Sequence, residues 1–188
     1  MSLIISCDGG SSCSTTRGFL RADVPDPVTN EHDTRYLIGN SKLAETSVSA
    51  ATKTEANALK LATQLCEMVS ETFKNGPGIE FSNVFLISDS EVILTMCNTD
   101  PAKLKLWYQS RIQQAQYLIK KYSIKLLFCP SQYNDSDKSS KLNLDKNPTL
   151  EPEYFRSIFF WKSLDLWPVK KRNDEPDEET MKVIENTM

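Results

Sequence analysis

Four carboxylates stand where chemistry could be done. Asp8 follows the short apolar run 3–7, Glu55 opens a helical stripe, Asp89 closes the apolar run 84–87, and Asp137 lies in the polar stretch Asn134-Asp135-Ser136-Asp137. Each also fits a plain structural role. Asp8-Gly9 is a hairpin turn pair, and Glu55 three residues after Thr52 fits a capping box. Asp89 and Asp137 occupy positions suited to helix caps or solvated turns. Brought together, however, unpaired carboxylates repel, and a chain that converges them usually holds cations among them. Oxygen-only donors favour hard ions such as Mg2+ or Mn2+ over zinc, and the single histidine, His32, lies in a loop. Two such ions about 4 Å apart can activate a water and stabilise the leaving oxygen in phosphodiester hydrolysis.

The elements that must position these acids follow from hydrophobic period. Residues 3–7, 18–24 and 35–41 read as an antiparallel meander of three strands, with a solvated connection through Pro25, Asp26, Pro27, Asn30, Glu31 and Asp33. From Thr54 to Phe73 the period becomes helical, with Ala58, Leu59, Ala62, Leu65, Cys66, Val69 and Phe73 on one stripe, ended by Asn75-Gly76-Pro77-Gly78. Residues 84–87 form a buried-type strand, 91–97 a short helix, 105–122 a long helix and 124–129 a fifth strand. A strand that follows a helical crossover pairs in parallel with the first strand of the meander. Asp8 and Asp89 then end neighbouring strands, and Glu55 lies on the inward stripe of a helix packed on the same sheet. In an open α/β sheet, ligands collect beyond the carboxyl ends of parallel strands.

The expectation is one α/β domain with a mixed five-stranded sheet: a three-stranded antiparallel meander plus two parallel strands, with helices on both faces. Its core spans residues 1–146, an aromatic extension at 147–169 packs on that core, and 170–188 is a charged, disordered tail. The chain of 188 residues suffices for one ordinary core, and no run approaches the roughly 20 apolar residues a membrane helix needs. It reads as soluble and intracellular, cytoplasmic or nuclear. Five scattered cysteines suggest neither a disulfide framework nor a zinc site. A formal net charge of -3 argues against nucleic-acid binding through a broad basic face alone. Lys120, Lys121 and Lys125 are the nearest candidate basic patch, and such lysines more often simply solvate a helix end.

The order Asp, Glu, Asp, Asp on strand, helix, strand and late helix resembles type 1 ribonuclease H domains, and within them the ribonuclease H region of BEL/Pao-like retroelement polyproteins. Four segments carry the resemblance: Cys7-Asp8-Gly9-Gly10-Ser11, Lys53-Thr54-Glu55-Ala56, Leu86-Ile87-Ser88-Asp89-Ser90, and Asn134-Asp135-Ser136-Asp137 running on to Lys141. The last is similar to the family's Asn-Pro-Ala-Asp, with Asp135 in place of proline. The stretch 107–116 and the aromatic residues from Phe159-Phe160-Trp161 to Trp167-Pro168 also resemble later family segments.

The resemblance implies metal-dependent cleavage of the RNA strand of an RNA–DNA hybrid, with a reverse transcriptase domain as partner in cis or trans. Asp8, Glu55 and Asp89 would hold one or both metals, and Asp137 would complete the second site. Gly9, Gly10, Ser11 and Ser12, small enough for close approach, are candidate contacts to the ribose 2′-hydroxyl, and Ser90 and Asn134 join them as expected substrate contacts. Many enzymes of this family place a mobile histidine just before the final Asp, whereas here stand Gln132, Tyr133 and Asn134. That departure and the acidic charge motivate an alternative, a catalytically silent ribonuclease H-like domain serving as a connection or protein-interaction module. A third reading is an unrelated α/β binding domain whose acids are caps and turns.

Overall fold

The computed structural model describes residues 1–11, 13–44, 51–140, 152–171 and 182. Strand β1 (Ser2–Gly9) is central, with β2 (Cys13–Arg21) antiparallel to it and β3 (Thr34–Leu43) antiparallel to β2. On its other side, β4 (Asn83–Ser88) runs parallel to β1, and β5 (Lys125–Phe128) runs parallel to β4. A two-residue strand, β6 (Lys170–Lys171), adds antiparallel to the outer edge of β5, so the order is β3-β2-β1-β4-β5-β6. The meander and the two parallel strands form the mixed five-stranded sheet expected from the sequence, to which β6 adds a sixth strand. Lys170 and Lys171 belong to the sheet and not to a tail, because their backbone pairs with Phe128 and Leu127. Residues 172–181 and 183–188 of the expected tail lie outside the described residues.

Alternation along the strands splits the core in two. Leu3, Ile5 and Cys7 of β1, with Val84 and Leu86 of β4, face helix α1 (Ala51–Asn75) and helix α3 (Leu106–Lys121). The stripe Ala58, Leu59, Ala62, Leu65, Cys66 and Val69 of α1 is buried there, and Ile93 and Met96 of the short α2 (Glu91–Met96) join it. Ile4, Phe19, Phe85, Ile87 and Leu127 point the other way, onto Phe159, Phe160 and Trp167 of the C-terminal segment. Among the described residues, that second face carries 3-10 turns and the four-residue α4 (Asp137–Ser140) as helical cover.

Three local expectations change. β1 continues through Gly9, paired with Ser14, so Asp8-Gly9 is not the turn; the chain reverses afterwards, with Gly10 N–H donating to the Cys13 carbonyl at 2.8 Å. α1 already includes Ala51 and Thr52, which removes Thr52 as a cap and the capping-box role of Glu55. β2 begins at Cys13 and not near Gly18, because Ser14, Thr15, Thr16 and Arg17 are buried despite their polarity. The end of α1 is as expected: Gly76 N–H returns to the Thr72 carbonyl, Pro77 stops the helix, and Gly78 takes φ +71°, which favours glycine. None of the five cysteines is in a disulfide. No helix among the described residues is long and apolar enough to cross a membrane.

Candidate metal centre

The parallel register of β1 and β4 brings the first two acids together. Cys7 pairs with Ser88, so Asp8 and Asp89, the next residue on each chain, emerge side by side at the carboxyl ends of neighbouring strands. Glu55 arrives from α1 through a main-chain contact. A Cβ on Gly9 would lie 2.3 Å from the Glu55 nitrogen, so only glycine lets β1 and α1 approach this closely. Gly9 N–H in turn donates to the Glu55 carboxylate, and Ser14 Oγ fixes the Thr54 carbonyl beside it at 2.7 Å. Gly9, expected at the substrate for its small size, owes that size to helix packing.

Asp8, Glu55 and Asp89 each offer an oxygen within 4.8 Å of the other two. Glu55 Oε2 and Asp89 Oδ1 are buried without a hydrogen-bond partner. The Glu55 carboxyl is pushed up to about 8, first by burial and then by the negative charges of Asp89 and Asp8, against the lowering bond from Gly9. Hard anionic oxygens that converge with two acceptor atoms unshared fit a hard divalent cation. Asp89 does not cap α2. Ser90 does, its hydroxyl accepting from Ile93 N–H at 3.4 Å while its own N–H donates to Ser88 Oγ at 3.1 Å. Ser90, expected as a substrate contact, is thus engaged in holding the helix start.

Asp137 opens α4 and is not among the acids whose ligand oxygens share the 4.8 Å group. The segment before it is tied down closely. Asn134 Nδ2 donates to the Cys7 carbonyl at 2.9 Å and its Oδ1 accepts from Ser136 N–H at 3.2 Å, with only 1% of the residue exposed. Expected at the substrate, Asn134 is instead a buried clamp that joins this segment to the strand end next to Asp8. Ser136 Oγ and Ser6 Oγ lie 2.7 Å apart, and Thr15 Oγ1 donates to the Ser136 carbonyl at 3.1 Å. Gly10 is partly exposed and Ser11 exposed at the hairpin turn, and Ser12 lies outside the described residues.

Sequence reasoning missed Arg17 and Asp135. Arg17 is fully buried on β2, donates to the carbonyls of Asp135 and Tyr154, and lies 4.5 Å from the centre of the Tyr154 ring. Asp135, also fully buried, accepts from Ile158 N–H at 3.2 Å and pairs with Lys138 at 3.5 Å, while burial holds its carboxyl above the usual range. The available signal was Thr15-Thr16, β-branched residues that favour a strand through the polar stretch. The candidate basic patch is engaged elsewhere: Lys121 pairs with Glu67 at 3.4 Å and Lys125 donates to Asn83 at 2.7 Å.

No family model matches the chain, and no curated protein matches it. Among solved structures it is similar to RNase H1 from the halophilic archaeon Halobacterium salinarum NRC-1, with 14% identity, TM-score 0.46, and 72% of this chain and 91% of that one covered. It is similar to LC11-RNase H1 in complex with an RNA/DNA hybrid, with 15% identity, TM-score 0.48 and the same shares covered. It is also similar to the N-terminal RNase H domain of rv2228c from Mycobacterium tuberculosis, with 13% identity, TM-score 0.46, and 72% and 92% covered.

Proposed function

We propose that the chain is a divalent-metal-dependent endonuclease that hydrolyses the RNA strand of RNA–DNA hybrids, the ribonuclease H part of a reverse-transcriptase-type retroelement polyprotein. The observation that carries the reading is the convergence of Asp8, Glu55 and Asp89 within 4.8 Å, with two buried carboxylate oxygens left without hydrogen bonds. Mg2+, or Mn2+ in its place, would supply charge neutralisation at the scissile phosphate and an activated water. Asp8, Glu55 and Asp89 would hold the ion. Gly9 N–H holds the Glu55 carboxylate by one hydrogen bond, and Oε2 is the oxygen left unbonded for the ion. Asp137 would complete a second metal position. The Asn134 clamp on the Cys7 carbonyl keeps its segment beside the strand end. Gly10 and Ser11 at the hairpin turn, with Ser12 next in the sequence, contact the substrate backbone, where a ribose 2′-hydroxyl separates RNA from DNA.

The catalytically silent reading draws on one observation, the position of Asp137 outside the three-acid group. One assay decides between them: cleavage of a labelled RNA–DNA hybrid beside single-stranded RNA and duplex DNA, with Mg2+ or Mn2+, by the parent chain and Asp89→Asn. Hybrid-selective cleavage that requires the ion and disappears in Asp89→Asn is the expected result. No cleavage with either ion would overturn the nuclease reading.

A further inference from the structure

An acidic chain that acts on a polyanion needs cations near its metal centre, and the fold places a pair there that the sequence did not reveal. β3 runs parallel to β1, as do β4 and β5, so α1 and α3 both begin at the rim that carries Asp8 and Asp89, and they pack together. Near these helix starts, one indole ring meets two cations. Arg111 Cζ is 3.7 Å from the centre of the Trp107 ring, and Lys53 Nζ is 5.4 Å from it. Arg111 is set in place by Nε donating to Asn57 Oδ1 at 3.2 Å and Nη1 donating to the Trp107 carbonyl at 2.9 Å.

All three side chains are partly exposed, and among the described residues neither cation enters an ion pair. Two neighbouring positive charges, neither paired with a carboxylate among the described residues, repel each other, an arrangement that an arriving anion relieves. Lys53 and Asn57 stand two residues to either side of Glu55 on α1, facing α3 while Glu55 faces the sheet. A helix is about 10 Å across, which places the pair across α1 from Glu55, about one helix width from the metal centre.

We propose that Lys53, Trp107 and Arg111 form a contact for the phosphate backbone of the nucleic acid, on the α1/α3 side of the metal centre. The two cations neutralise adjacent phosphates, and Trp107 holds them at fixed spacing. This rests on the nuclease reading, and it places the substrate's path across the starts of α1 and α3.

The test is the salt dependence of binding a labelled RNA–DNA hybrid, read by fluorescence anisotropy in an Asp89→Asn background that cannot cleave. Each phosphate contact contributes about 0.9 to the slope of log Kd against log salt. Lys53→Met should lower the slope by about one and Lys53→Met/Arg111→Met by about two. Lys121→Met, at the far end of α3, should leave it unchanged. Replacing Arg111 removes two hydrogen bonds and can loosen the helix pair, so Lys53→Met, whose ammonium donates no hydrogen bond among the described residues, carries the test. Salt-dependent binding with an unchanged slope in Lys53→Met, or an equal drop in Lys121→Met, would overturn this contact alone. Failure of the Asp89→Asn chain to bind hybrid at any salt concentration would overturn the nuclease reading beneath it.

Discussion

Glu55 is a carboxyl held above its ordinary range in a fold that gains from its ionised form only when a cation is present. Its value rises from 4.5 to about 8 on folding, so between those pH values the folded chain keeps a proton that the unfolded chain has released. Stability of the metal-free protein should therefore be highest near the lower limit, fall as pH rises through the window by up to about 1.4 kcal/mol per unit, and level off above it. Urea melts in a chelator at acid and alkaline ends of the window check this. A flat profile would show that Glu55 does not keep its proton. Saturating Mg2+ should restore stability at the alkaline end, because the ion binds the folded form alone. Glu55→Gln should flatten the pH dependence and remove the Mg2+ effect together. At Gly9 the expectation is steric. Gly9→Ala meets the main chain of α1, not a movable side chain, and should cost about 1–3 kcal/mol in a urea melt while weakening the Mg2+ response.

Among the elements, those built on apolar period were legible and those built on buried polarity were not. The stripe of α1 gave the helix, because Ala58, Leu59, Ala62, Leu65, Cys66 and Val69 recur at three- and four-residue spacing. The first half of β2 gave no such signal. Ser14, Thr15, Thr16 and Arg17 look solvated in a sequence, and their partners, the carbonyls of Thr54, Ser136, Ser6, Asp135 and Tyr154, come together only on folding. The acids at 8, 55 and 89 could be placed from strand ends and helix period, whereas Asn134 and Ser90 looked like substrate contacts because their backbone partners are invisible before folding. Arg17 is where this hidden polarity is most exposed to test. Arg17→Met leaves Asp135 buried with a cation removed from beside it and two carbonyls without their donor, and should cost about 3–5 kcal/mol. Equilibrium urea unfolding measures it, and a loss below about 1 kcal/mol would mean the network contributes little.

At the scale of the whole molecule, the C-terminal segment is a wall of the core. Phe159, Phe160 and Trp167 cover Ile4, Phe19, Phe85, Ile87 and Leu127, and Arg21 fastens the segment through the carbonyls of Phe160 and Lys162. A chain shortened to residues 1–151 should expose that apolar sheet face, bind a hydrophobic dye strongly and lose its cooperative melt. A sharp melt with no dye binding would show that the sheet stands without its second cover. The close passage of β1 against α1 has a consequence for change over generations. Because the gap between Asp8 and Glu55 is set where main chain touches main chain at Gly9, it does not depend on which aliphatic residues fill the layer behind it. Leu, Ile, Val and Met can exchange through that layer, and sequence can drift far from any relative, while the spacing of the acids stays as it is.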